Sequence, residues 1–147
     1  MKIFLAGIIQ GSMIEAAIHQ QDWRGPIREA IETHLSDAEI YCHYSAHPNS
    51  IEYGMDDIRR TFTQGVEAAA ESDLVICYLP SASMGTAIEM YEAFRRGAIV
   101  LTVTPMQANW VVRCYSHRIF PSVVELADFL SGGGLAELVE STRTREA

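Results

Sequence analysis

Ser81, Ser83, Gly85 and Glu89 bring two hydroxyls, a bare backbone position and a carboxylate into nine consecutive residues. A carboxylate beside a sugar can attack its anomeric carbon or stabilise the positive charge that develops there. Hydroxyls and backbone N–H groups at the start of a helix suit an anion such as phosphate. Each residue also has a plain reading: a first-turn Glu complements the helix dipole, and a Ser-rich turn is a turn.

That chemistry needs elements to hold it. Residues 74–79, LVICYL, are an apolar run bounded by Asp73 and Pro80, the pattern of a strand buried on both faces. Residues 80–85 turn the chain, and the spacing predicts a helix over 86–96 with Glu89 in its first turn. Ile88, Tyr91 and Phe94 form its apolar side, and Gly97 ends it behind Arg95 and Arg96. In open parallel sheets, ligands bind outside the carboxyl ends of the strands. Glu89 is placed beside that crevice.

The rest of the chain supplies more strands and helices. Residues 2–7, KIFLAG, read as a first strand, and Gly7, Gly11 and Ser12 frame the turn after it. Glycines there let the backbone approach a ligand, although neither a P-loop nor a GxGxxG pattern is present. Residues 22–35 read as a helix with Ile27, Ile31 and Leu35 on one side; Trp23 and Arg24 at its start can reach the mouth of the site. A strand at 38–41 leads into a loop carrying Cys42, His43 and His47, with Tyr53 beyond it. No second ligand cluster accompanies that trio, so it reads as part of a pocket wall and no metal is expected. Residues 55–71 read as a helix with Ile58, Phe62 and Val66 as its core stripe. A strand at 98–103, an N-cap at Asn109, a short strand at 118–120 and a helix over 123–130 follow. Gly132, Gly133 and Gly134 break that helix. A single domain over residues 1–140 with a frayed tail at 141–147 is expected.

The segments KIFLAGIIQGS and SDLVICYLPSASMGTAIEMYEAFRRG together resemble the nucleoside 2-deoxyribosyltransferase superfamily, over roughly the first two thirds of the chain. Within it, the likeness is to the nucleoside 5'-monophosphate N-glycosidase and CMP hydrolase branch. The resemblance implies that Glu89 is the nucleophile. It implies that Ser83, where the deoxyribosyltransferases carry Asp, binds a 5'-phosphate. It also implies a homo-oligomer in which a neighbouring subunit's residue completes the site, at Asn109 here. Two positions depart from the superfamily pattern: Gly65 stands where an Asp assists the leaving base, and Ile3 where a Tyr touches the catalytic carboxylate. Protonation of the base then falls to another group, with Tyr53, Asp56, Asp57, Glu67, His43 and His47 as candidates. A deoxyribosyltransferase and a nucleotide-binding sensor with little turnover are the alternatives.

Alternating strands and helices give an α/β class: a doubly wound, mostly parallel sheet of four to five strands, Rossmann-like or flavodoxin-like. With 147 residues, 48% of them apolar, the chain has room for one full core. No apolar run is long enough to span a bilayer. Three cysteines without framework spacing suggest a reducing, cytoplasmic setting. A net charge of -8 argues against nucleic-acid binding but permits a small phosphorylated ligand, and nothing calls for a cofactor.

Overall fold

In the computed structural model, five strands make an all-parallel sheet in the order β2-β1-β3-β4-β5. The backbone is described for residues 1–146 and side chains through residue 144. The strands are β1 (Lys2–Gly7), β2 (Glu39–Cys42), β3 (Leu74–Tyr78), β4 (Ile99–Val103) and β5 (Arg118–Phe120). The helices are α1 (Arg24–His34), α2 (His43–Ala46), α3 (Met55–Ala70), α4 (Met84–Arg95), α5 (Trp110–Tyr115), α6 (Val123–Ser131) and α7 (Gly134–Glu146). A short 3-10 turn, Ser50–Glu52, lies between α2 and α3. The expected doubly wound α/β architecture is the one observed.

Strand alternation divides the core in two. Ile3, Leu5, Leu74, Ile76 and Leu101 face α1, α6 and α7, meeting Ile27, Ile31, Leu126 and Leu130. Phe4, Ala6, Val75, Cys77 and Val100 face α3, α4 and α5, meeting Ala69, Met90, Ala93 and Val112. β4 is buried along its whole length, as its apolar run requires. After α4, Gly97 takes φ +88°, the left-handed conformation that closes a helix without a Cβ penalty.

Several local expectations are corrected. α3 buries Thr61, Gly65 and Ala69, whereas Ile58 and Phe62 are 43% and 39% exposed. Small residues on the inner face allow close approach, and the larger apolar ones border a cleft. α4 likewise buries Thr86, Met90 and Ala93 and leaves Ile88 and Tyr91 exposed. It begins at Met84, with Ser83 as its N-cap, so Glu89 stands in the second turn rather than the first. A dipole-partner role for Glu89 loses its geometric basis. The loop after β2 contains α2 and the 3-10 turn. α7 carries helical backbone through Glu146, and Ala147 lies outside the described residues. Leu135 is buried, and Leu138 and Val139 pack on the core, which accounts for the start of that helix being held.

Candidate active site

The sheet order changes direction between β1 and β3, whose ends Gly7 and Tyr78 are paired. Loops leaving these strands part to opposite sides and open a crevice, the place where doubly wound folds bind ligands. A cleft of about 430 Å³ lies there, bordered by Gly7 and Gly11 from the β1 loop, His43 from α2, Phe62 from α3, and Ser83 and Glu89 from α4. Gly85 also lines it. A larger depression of about 730 Å³, between Ile8, Trp23, Tyr78 and Val123, holds neither Glu89 nor the serines. Size favours the second hollow, but the grouped carboxylate, hydroxyl and imidazole favour the first.

Glu89 is half-buried as water touches it, yet protein encloses its carboxyl closely. Burial pushes its pKa up to about 8, opposed by the Arg24 guanidinium. Burial therefore favours the protonated form of Glu89 near neutrality. Arg24 is itself buried: its Nε donates to Gln21 Oε1 at 2.8 Å and its Nη1 to Cys42 Sγ at 3.0 Å. Desolvation lowers the Arg24 pKa, partly offset by Cys42 and Glu89, and a guanidinium keeps its charge regardless. It is thus a fixed cation behind the site. Beneath Glu89, the Cys77 thiol is pushed far up by burial and secondarily by the carboxyl, which leaves it unreactive.

Ser83 caps α4. Its Oγ accepts from the Thr86 N–H at 3.4 Å and from the Thr86 hydroxyl at 3.0 Å. Both bonds use lone pairs, so the Ser83 proton remains to be donated. Thr86, buried beneath the cap, fixes this arrangement and carries no mark in the sequence. Glycine at position 85 keeps the approach open; a Cβ there would stand 3.3 Å from the Phe62 ring.

The remaining sequence candidates separate. Trp23 is stacked on Tyr78 at 4.7 Å, and a Cβ at position 7 would collide with its ring, so Gly7 is required by Trp23 as well as lining the cleft. Trp23 borders the larger depression instead of the Glu89 cleft. Gly11 has φ +61°, which a side chain would strain. Ser12 and Ser81 do not line the cleft, and Asp57 pairs with Arg60 on the outside of α3. His47 packs against His43 with tilted rings 4.9 Å apart, and its Nδ1 is 3.1 Å from the Tyr53 hydroxyl, which places both residues behind His43. Asn109 caps α5 through the Val112 N–H and is exposed away from the cleft. Ile3 packs on the α1 side of the sheet, opposite α4, so no side chain at that position would meet Glu89. Tyr41, on the α4 side, stacks on Phe4, and burial raises its pKa, with Cys42 and Glu89 adding. Among the described residues, no cluster of three His, Cys, Asp or Glu could hold a metal ion, and no helix is long and apolar enough to cross a membrane.

The 2-1-3-4-5 parallel sheet, with a carboxylate in its β1/β3 crevice, is a doubly wound, flavodoxin-like fold. The solved structure of a 2-deoxyribosyltransferase from the psychrotolerant bacterium Bacillus psychrosaccharolyticus superposes with a TM-score of 0.61 at 18% identity, covering 86% of this chain and 90% of that one. Clostridium botulinum CMP N-glycosidase, BcmB, gives 0.54 at 20% identity over 88% and 98% of the two chains. A conserved protein from Enterococcus faecalis V583 gives 0.58 at 16% identity over 90% and 98%. No family model matches the sequence, and no curated protein does. At these identities the likeness is one of fold.

Proposed function

We propose that this protein is an N-glycosidase of nucleoside 5'-monophosphates, with Glu89 as nucleophile. The observation that carries the reading is the shared cleft: an enclosed carboxyl, an uncommitted Ser83 proton and the start of α4 face the same space. The fold similarity to a CMP N-glycosidase supports it. The phosphate accepts from Ser83 and the first backbone N–H groups of α4. The Glu89 carboxylate then forms an ester with the anomeric carbon as the bond to the base breaks, its electron pair leaving with the base. Water cleaves the ester, releases the sugar phosphate and restores Glu89. Positive charge on the sugar favours the ionised carboxylate in the transition state, whereas burial by the protein disfavours it.

The test is a panel of ribo- and deoxyribonucleosides and their monophosphates, with free base followed by chromatography. Base release from monophosphates, abolished in Glu89→Ala with nucleotide binding retained, is the expected result. Wild-type turnover in that variant rejects the mechanism. Adding a second free base separates hydrolysis from transfer, since only a transferase makes a new nucleoside. Binding without base release identifies a sensor.

A homo-oligomer belongs to the same reading. Trp110 is 82% exposed beside exposed Val111, and Ile88 and Tyr91 on α4 are exposed on the same side of the sheet. An apolar face of this kind suits contact with a second copy, which would bring Asn109 toward a neighbour's cleft. A monomer by sedimentation with full activity would refute it. The three thiols are all unpaired, in keeping with a reducing cytoplasm.

A further inference from the structure

Position 65 lies on the inner face of α3 and carries no side chain, and the space it leaves is bounded by two chemically active groups. A Cβ built there would stand 3.2 Å from His43 Nδ1 and 3.5 Å from Glu89 Oε1. The imidazole and the carboxyl therefore both border position 65, and both residues line the cleft that Ser83 also lines. His43 Nδ1 is buried and has no hydrogen-bond partner, one of three such side-chain atoms among the described residues. An unpartnered buried nitrogen is costly, and His43 itself lines the cleft. The ring is held from behind by His47, which is in turn fixed by Tyr53.

We propose that His43 is the acid–base residue of the site, passing a proton from Nδ1 to the departing base and taking one from water in the second step. This rests on the glycosidase reading above. As the anomeric carbon–nitrogen bond breaks, its electron pair goes to the base nitrogen, and the His43 imidazolium supplies the proton. Glu89 is then joined to the sugar. Water attacks the same carbon, gives a proton to His43 and releases the Glu89 carboxylate, so the starting pair returns with base, sugar phosphate and one water consumed.

The protonation of the pair agrees with this division of labour. Burial lowers the pKa of His43, and His47 and Arg24 add to the lowering, while Glu89 holds its proton to about 8. The proton that Glu89 must lose to attack is the one His43 must gain to act as acid. A single proton shared by the pair suffices, and activity falls on both sides of the range in which one is bound. His47 on its own segment and Arg24 from α1 act on the charge of His43, Glu89 from α4 borders the same position 65, and α3 approaches the ring at Gly65.

The experiment compares two leaving groups on the same sugar phosphate: the natural base, and 4-nitrophenolate, which departs without a proton. His43→Gln should cut base release by about 10²–10⁴-fold and nitrophenolate release by under tenfold. In His43→Ala, adding Gly65→Asp places a carboxylic acid in the vacated gap and should restore base release at least tenfold. Equal losses for the two leaving groups, without rescue, overturn the role of His43 while leaving Glu89 in place. Glu89→Ala should silence both leaving groups; if it silences neither, the glycosidase reading itself fails. Should the His43 variants not fold, the wild-type enzyme decides: base release must decline on the alkaline side while nitrophenolate release persists. Parallel profiles reject the proposal.

Discussion

Replacing Glu89 by Gln should make the folded chain more stable, and increasingly so as pH rises. In the unfolded chain the carboxyl titrates at its ordinary value of 4.5, and in the folded chain at about 8. Between those values the folded state binds more protons than the unfolded state, so stability falls with rising pH until Glu89 is ionised in both. Each tenfold change in proton affinity is worth about 1.4 kcal/mol, giving a ceiling of roughly 4–5 kcal/mol above pH 8. Water reaches the cleft and relaxes part of that penalty, so about 2–3 kcal/mol is the expected loss. Gln keeps the shape and cannot ionise. Urea unfolding of both proteins at pH 5, 7 and 9 reads the effect as a growing difference in midpoint at constant slope. The two should be similar at pH 5 and separate by about 2–3 kcal/mol at pH 9. A difference that does not change with pH would show that the cleft solvates Glu89 fully, and the argument from its burial would fall. The same variant should be inactive, so gain in stability and loss of turnover would be found in one substitution.

Two further outcomes bear on the surrounding groups. Ser83→Ala removes a donor to a charged ligand and should weaken handling of the monophosphate about ten- to a hundredfold, leaving any nucleoside activity nearly unchanged; Ser83→Asp should reverse the preference, and specificity ratios measured on both substrates check this. Arg24→Met deletes the cation that favours ionised Glu89, so the Glu89 pKa should rise further and the alkaline limb of base release should move to higher pH; an unmoved limb would place Arg24 outside the electrostatics of the site.

The fold was legible because its strands are continuous apolar runs at the spacing of βα units, and Gly97 and Asn109 mark helix ends by their own chemistry. Ser83 and Glu89 were legible as a motif. Which face α3 and α4 bury was not, because hydrophobic periodicity identifies an apolar stripe without saying whether it meets a core or a cleft. Ile58, Phe62, Ile88 and Tyr91 read as core for that reason. Thr86, buried under the Ser83 cap, looks like any helical threonine. His43 and Glu89 both border a residue that has no side chain, Gly65, and come from parts of the chain far apart in sequence. No local pattern encodes such a meeting.

α3 has an unusual division of its residues. It buries Thr61, Gly65 and Ala69, while Phe62 and Ile58 stand exposed at the cleft and outside the core clusters. The wall that a ligand's base or sugar would touch can therefore change in size and polarity without loosening the fold. Ligand preference and folding stability become nearly separate properties along this helix. Related chains could accept different bases by rewriting two exposed positions, and a laboratory search for altered selectivity has a natural starting point there.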